Sequence, residues 1–146
     1  MTDLIERTLR GLSNQLGDRV SRPGDDEYVA ATEISAKPIG CIPRTVVHCR
    51  TPQDVQFAIA AARSAGLSLS VRGGGHDWPG RALCDGLVVD LSGMRDVVIS
   101  RDRRSARILG GARASDVLAV TDQLGLAAVT GSCSAVGKTG LALGGG

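Results

Sequence analysis

Two glycine-rich stretches, each carrying one reactive side chain, constrain the fold of this chain more than any other feature. The first contains Gly73-Gly74-Gly75-His76, and the second extends from Gly131 through Cys133 to Gly140. Clustered glycines allow the backbone to turn tightly and to approach a ligand closely. Each stretch follows a predicted helix, a single glycine and a predicted strand. One extended ligand held between two such loops would explain both stretches.

The spacing of apolar residues predicts an α+β fold, with helices packed on small mixed β-sheets. Thr51, Pro52 and Asp54 give the start of one helix a cap, a favourable first residue and an acidic third residue. Residues 17–44 are predicted to be loop, and the chain is divided into an N-terminal helix and loop (1–40) and a ligand-binding domain (41–146). Helices are predicted over 4–16, 52–65 and 113–124, and strands over 46–47, 67–72, 87–91, 97–99, 106–109 and 126–129.

The composition excludes several classes of function. A net charge of +2, with one Phe, one Trp and one Tyr, offers neither the basic face nor the stacking partners that nucleic-acid binding needs. No apolar run approaches the length of a membrane span, and no secretory signal is visible. The four cysteines lack CxxC spacing, so we expect reduced thiols, no metal site and a cytoplasmic location.

The first glycine-rich stretch has the character of an anion site. Three consecutive glycines let backbone N–H groups converge on a phosphate, and Arg72 adds a positive charge. The stretch does not fit G-x-G-x-x-G, and no helix is predicted directly after it, so a Rossmann fingerprint fails. The imidazole of His76 is a candidate nucleophile.

The second stretch allows more than one interpretation. Gly137-Lys138-Thr139 suggests a P-loop, but that motif needs a glycine at position 132, where this chain has Ser, and a helix that the following glycines oppose. Cys133 is either an inert thiol or one activated by nearby backbone N–H groups, and the residues leave this open.

Over residues 40 to 146 the sequence resembles the FAD-binding (PCMH-type) domain of the vanillyl-alcohol oxidase superfamily, and within it the berberine-bridge-enzyme-like FAD-linked oxidases. Five segments in order carry the resemblance: RTPQDVQFAIAAAR, VRGGGHDWPG, DGLVVDLSGM, GGA and GSCSAVGKTGLALGGG. The order and spacing of these segments make the match more specific than any one motif.

The resemblance implies FAD bound covalently through His76, with a second bond from Cys133 in many family members. Members usually have Cys-Pro where this chain has Cys133-Ser134, and Lys138 replaces a residue that is commonly small or apolar. The implied FAD-binding residues are Arg72, Gly73, Gly74, Gly75, His76, Asp77, Gly80, Gly131, Cys133, Val136, Gly137, Thr139 and Gly140.

The implied function is oxidation of a hydroxyl-bearing or natural-product substrate with oxygen as the acceptor. The family's catalytic base and substrate domain fall outside this chain, so we expect no catalytic residue within it and a C-terminus that truncates the domain. A non-catalytic flavin-binding module or subunit is the main alternative, and a P-loop nucleotide hydrolase is a weaker one.

Overall fold

The computed structural model describes residues 2–36 and 40–144, which form helices around a four-stranded sheet and a separate two-stranded sheet. In chain order the elements are helix α1 (Thr2–Leu16), a 3-10 turn (Gly17–Arg19), strand β1 (Val20–Ser21), α2 (Asp26–Thr32), β2 (Thr45–His48), α3 (Pro52–Ala65), β3 (Leu69–Arg72), β4 (Leu87–Asp90), β5 (Val97–Ile99), β6 (Ala106–Ile108), α4 (Ala114–Gln123) and α5 (Lys138–Gly144).

The larger sheet is mixed, with the strand order β1-β2-β4-β3. Strands β2, β4 and β3 run parallel, while β1 pairs antiparallel with β2. The register places His48 opposite Asp90, and Asp90 opposite Arg72. Each of these residues ends its strand, so three polar side chains meet at the carboxyl edge of the sheet, where open parallel sheets usually bind ligands.

Both faces of this sheet are covered. Val47, Leu87 and Val89 pack with α1 and α3, while Val46 and Val88 pack on the opposite face beside Tyr28 of α2. Burial on both faces explains why β4 is an unbroken apolar run ending in one aspartate, a pattern typical of parallel strands.

The predicted helices are confirmed as α1, α3 and α4, and most predicted strands are confirmed. Helix α3 begins as its local sequence predicts: the Thr51 hydroxyl accepts from the Asp54 N–H at 3.2 Å, and the Asp54 carboxylate accepts from the Thr51 N–H at 3.1 Å. Gly66 ends the helix with φ of 63°, a left-handed conformation.

Three local predictions are wrong. Residues 17–44 are not all loop, because they contain β1 and α2, which is anchored by the Tyr28 hydroxyl donating to the Pro43 carbonyl at 2.7 Å. Residues 126–129 form no strand, since no described segment pairs with them, and Val129 is 93% exposed. The glycines after Thr139 do not prevent a helix, because α5 begins at Lys138.

Strand β3 is half-buried as predicted, but its polar side faces inward. Ser70 and Arg72 are buried, whereas Leu69 and Val71 are exposed. No helix among the described residues is long and apolar enough to cross a membrane.

Gly111 tests the packing of the turn after β6. A Cβ at this position would lie 1.7 Å from the Leu91 carbonyl oxygen, so backbone must move to admit it. We expect Gly111→Ala to lower the free energy of unfolding by about 3 kcal/mol or more, measured by urea denaturation.

Gly11→Ala is the matched control. Gly11 lies inside α1 with nothing within 4 Å of its Cβ position, so the same exchange is expected to stabilise the chain by about 0.5–1 kcal/mol. Equal effects of the two exchanges would contradict the packing assigned to Gly111.

Candidate FAD-binding cleft

The two glycine-rich loops meet backbone to backbone. A Cβ on Gly74 would lie 2.5 Å from the Gly137 nitrogen, and a Cβ on Gly137 would lie 2.5 Å from the Gly74 nitrogen. Only glycine at both positions permits this approach. The two loops therefore lie against each other, as a ligand held between them requires.

The second loop is held in place by the start of α4. Ala114 N–H donates to the Val136 carbonyl at 2.9 Å, Ser115 N–H to the Ser134 carbonyl at 3.1 Å, and Lys138 N–H to the Ala112 carbonyl at 2.8 Å. Lys138 also donates from Nζ to the Val129 carbonyl oxygen. Lys138, the residue that suggested a P-loop, therefore stabilises the second glycine-rich loop through this hydrogen bond.

Between the loops lies a cleft of about 240 Å³. Its lining includes eight of the predicted site residues: Gly73, Gly74, Gly75, His76, Asp77, Val136, Gly137 and Gly140. Arg72, Gly80, Gly131, Cys133 and Thr139 are not part of this lining, and Cys133 is exposed. The two glycine-rich stretches do meet, although the strand predicted before the second one does not form.

Four lining residues were missed from the sequence: Val71, Arg81, Ala82 and Leu141. Arg81 lines the cleft, is exposed and has no ion-pair partner among the described residues, so its positive charge is available to an anion there, unlike that of Arg72. The Asp77 carboxylate accepts from the Ala82 N–H at 2.8 Å, which folds the chain back and brings Arg81 to the cleft. A basic residue directly after the first glycine-rich stretch was the available signal.

His76 occupies the half-buried wall of the cleft. Its Nδ1 lies 3.4 Å from the Ser35 hydroxyl, and its ring meets the exposed Trp78 edge-on at a centroid distance of 6.1 Å. Among the described residues, the Nε2 atom has no hydrogen-bond partner. One ring nitrogen is therefore open to a ligand in the cleft.

The backbone of the first loop offers unused donors. Within residues 2–36 and 40–144, no protein acceptor takes a hydrogen bond from the N–H groups of Gly73, Gly74 or His76. N–H groups without protein partners, glycines without side chains and a nearby arginine suit the oxygens of a pyrophosphate. The cleft therefore fits the phosphate part of FAD.

Arg72 lies beneath the first loop and not in the cleft. Its Nη1 donates to Asp90 Oδ1 at 2.9 Å, and both side chains are at least nine-tenths buried. The positive charge expected for the anion site is therefore largely neutralised by Asp90, which the sequence analysis did not identify as its partner.

Asp90 also anchors the neighbouring strand. Its Oδ2 lies 3.1 Å from His48 Nδ1, and His48 Nε2 lies 2.7 Å from the Ser21 hydroxyl. Burial alone would raise the pKa of Asp90, but the His48 hydrogen bond, the Arg72 charge and the Ser92 hydroxyl lower it to about 2. The carboxylate is therefore ionised at neutral pH.

The fold and the cleft define a flavin-binding domain, and the sequence agrees. Residues 43–146 match the family described as FAD binding domain, and this chain belongs to that family. The family assignment excludes the P-loop hydrolase.

The relatives are FAD-linked oxidoreductases. The chain is 35% identical over 131 residues to the uncharacterized FAD-linked oxidoreductase YgaK of Bacillus subtilis, which covers 89% of this chain and 29% of that protein. It is 41% identical over 105 residues to (R)-6-hydroxynicotine oxidase of Paenarthrobacter nicotinovorans, which covers 71% of this chain and 23% of that protein. The chain thus spans less than a third of these relatives.

Solved structures show the same architecture. The crystal structure of 6-hydroxy-D-nicotine oxidase from Arthrobacter nicotinovorans superposes with a TM-score of 0.80 at 34% identity, covering 86% of this chain and 28% of that one. Physcomitrella patens BBE-like 1 superposes with a TM-score of 0.84 at 29% identity, covering 92% and 30%. The predicted fold class and family are confirmed.

Acid unfolding tests the Asp90 cluster. A lowered pKa means that Asp90 stabilises the fold fully above about pH 4, and that this contribution is lost as the pH falls towards about 2. The shift corresponds to about 2 kcal/mol in the free energy of unfolding, measured by urea denaturation between pH 7 and pH 2.5.

Asp90→Asn should be less stable at neutral pH by about 3–5 kcal/mol, because it leaves Arg72 buried without a counter-ion, and its stability should vary less with pH. Asp122→Asn, an exposed exchange outside the cluster, serves as the control. Identical acid profiles for the wild type and Asp90→Asn would contradict the assignment.

Proposed function

We propose that this chain is the FAD-holding part of a flavin-dependent oxidase, with the cofactor clasped between the loops at Gly73–Asp77 and Val136–Gly140. The observation that carries the proposal is the backbone contact between Gly74 and Gly137, which forms a cleft with unused N–H donors. The family assignment to the FAD binding domain supports the choice of ligand.

The residues divide the work of holding the cofactor. Backbone N–H groups of Gly73 and Gly74 would donate to the pyrophosphate, and Arg81 would balance its negative charge from the rim of the cleft. The glycines at 74 and 137 let the two loops meet and so form the cleft, because a Cβ on either would strike the backbone of the other. Trp78 stands at the rim beside His76.

His76 is proposed to bond covalently through a ring nitrogen to the 8α-methyl carbon of the flavin. One methyl C–H bond and the ring N–H bond would break, the two electrons and two protons would reduce the same flavin, and oxygen, the acceptor of the proposed reaction, would reoxidise it. The place of His76 in the cleft lining and its free Nε2 support this role. Cys133 is proposed as a second attachment point, supported by its exposure on a loop that hydrogen bonds to α4 hold in place. A tether at two points would fix the orientation of the flavin ring towards a substrate.

The proposed reaction is oxidation of a small hydroxyl-bearing or natural-product substrate, with oxygen as the acceptor. Bound FAD would accept a hydride from the substrate and pass the electrons to oxygen. The substrate would be held by a domain outside these residues, because the relatives are more than three times as long as the matched segment. A cytoplasmic location is part of the same proposal.

FAD binding can be measured through Trp78, the only tryptophan of the chain. Flavins absorb light where tryptophan emits, so titration with FAD should quench the emission of Trp78 until the site is saturated. Gly74→Ala should weaken binding about tenfold or more, because an overpacking cost of about 1–3 kcal/mol falls on the closed arrangement of the loops.

Gly11→Ala makes the same exchange far from the cleft and should leave FAD affinity unchanged. Wild-type affinity in Gly74→Ala would contradict the site. Fluorescence that is unchanged while FAD binds, as followed by equilibrium dialysis, would place the cofactor away from the first loop.

Covalent attachment is tested by acid precipitation and peptide mass spectrometry of FAD-replete protein. Trypsin places His76 in the peptide from Gly73 to Arg81, and Cys133 in the peptide from Ala114 to Lys138. We expect flavin mass on the first peptide, and on both if the second bond forms. His76→Ala should abolish the modification of the first peptide.

His48, the only other histidine, lies in a separate tryptic peptide and should stay unmodified. An unmodified His76 peptide in flavin-replete protein would overturn the covalent assignment while leaving FAD binding intact. Flavin that is released entirely by acid would favour the alternative of a flavin-binding module.

A further inference from the structure

A second cleft, of about 230 Å³, lies between α2 and the carboxyl edge of the larger sheet. Its polar lining comes from the ends of three parallel strands, from α2 and from the residue before α4: Glu27, His48, Arg72, Asp90, Ser92 and Arg113. The proposed FAD cleft uses none of these side chains.

The carboxylate of Asp90, at the centre of this cleft, already accepts hydrogen bonds from protein donors on both oxygens. Asp90 Oδ1 accepts from Arg72 Nη1 at 2.9 Å and from the Ser92 N–H at 3.1 Å. Its Oδ2 accepts from the Ser92 hydroxyl at 2.7 Å and from His48 Nδ1 at 3.1 Å. Four donors converge on one carboxylate, so its charge is balanced within the protein.

The arginine beside it has donors left over. Arg72 uses Nη1 for Asp90, while its Nε is fully buried without any hydrogen-bond partner. The side chain is only 9% exposed, so water does not compensate the Nε–H. A buried arginine donor without a partner is costly, and the neighbouring Nη2 group also makes no hydrogen bond to the described residues. An anion bound at Nη2 would lower that cost through its charge.

A second arginine reaches the same cleft. Arg113 is half-buried, and within the described part of the chain no carboxylate lies within ion-pairing distance of its guanidinium. Glu27 lines the cleft from α2 but is exposed to solvent, so its charge is screened. Two arginines with unused donors thus flank a carboxylate that is already neutralised.

We propose that this cleft binds a small oxyanion, held by Arg113 and by the unused donors of Arg72. Guanidinium groups pair with sulfate, phosphate and carboxylate oxygens through short, charge-assisted hydrogen bonds. The ionic network of Asp90 fixes Arg72 in position before the ligand arrives. A free anion and a phosphate of FAD present the same chemistry to the cleft.

Sulfate is the probe, because its charge is constant across neutral pH. A ¹H–¹⁵N NMR titration follows the Arg72 Nε–H resonance, assigned by its loss in Arg72→Lys, at constant ionic strength maintained with chloride. We expect a saturable shift of that resonance, and an affinity about tenfold or more weaker in Arg113→Gln. Arg101→Gln removes the same charge from an exposed turn and should bind sulfate as the wild type does.

A second titration with FAD then shows whether the natural ligand of this cleft is a free anion or a phosphate of the cofactor. Displacement of sulfate by FAD would assign this cleft, in place of the backbone of the first loop, to the phosphates of the cofactor. Simultaneous binding would assign it to a separate anion. A linear, unsaturated response, or equal affinity in Arg113→Gln and Arg101→Gln, would overturn the proposal and leave Arg72 as the counter-ion of Asp90 only. The sulfate titration is independent of flavin binding, so its failure leaves the FAD site untouched.

Discussion

The contact between Gly74 and Gly137 determines the geometry of everything around the cleft. Two backbones approach within 2.5 Å of a missing Cβ, which leaves no room for any other residue at either position. The first loop enters from β3 and the second is held by α4, so this contact joins the sheet to the last part of the described chain. The cleft exists because those two loops are locked together at one point and diverge on either side.

The carboxyl edge of the sheet is the second constraint, and it acts beneath the first loop. The side chains of Ser21, His48, Asp90 and Arg72 form a continuous polar row across all four strands. An ionised carboxylate only accepts hydrogen bonds, so His48 donates to Asp90 from Nδ1, and its Nε2 lies 2.7 Å from the Ser21 hydroxyl. Arg72 immediately precedes the glycines of the first loop, so the row also fixes the point from which that loop departs.

Local signals were sufficient for some elements and not for others. Helix α3 could be predicted because Thr51, Asp54 and Gly66 determine its two ends within the helix itself. The inward face of β3 could not, because apolar alternation favours burying Leu69 and Val71. What decides the orientation is the pairing of Arg72 with Asp90, which lies 18 residues further along the chain. Contacts between residues distant in sequence also explain why α2 was not predicted, since it is stabilised by packing on the sheet. They explain as well why Arg81, and not Arg72, lines the cleft, since Arg72 is paired with Asp90.

The segment shared with the relatives matches a cofactor-binding domain, described as FAD binding domain. The family match covers residues 43–146, which include both loops, the sheet edge and α3. A fold that holds a flavin is compatible with many substrates, since specificity depends on side chains facing the reacting carbon. The described cleft contributes glycine backbone, His76 and a few small side chains, which are suited to gripping a common cofactor. Under the proposed function, differences in substrate would therefore arise from residues that approach the flavin ring from outside these loops.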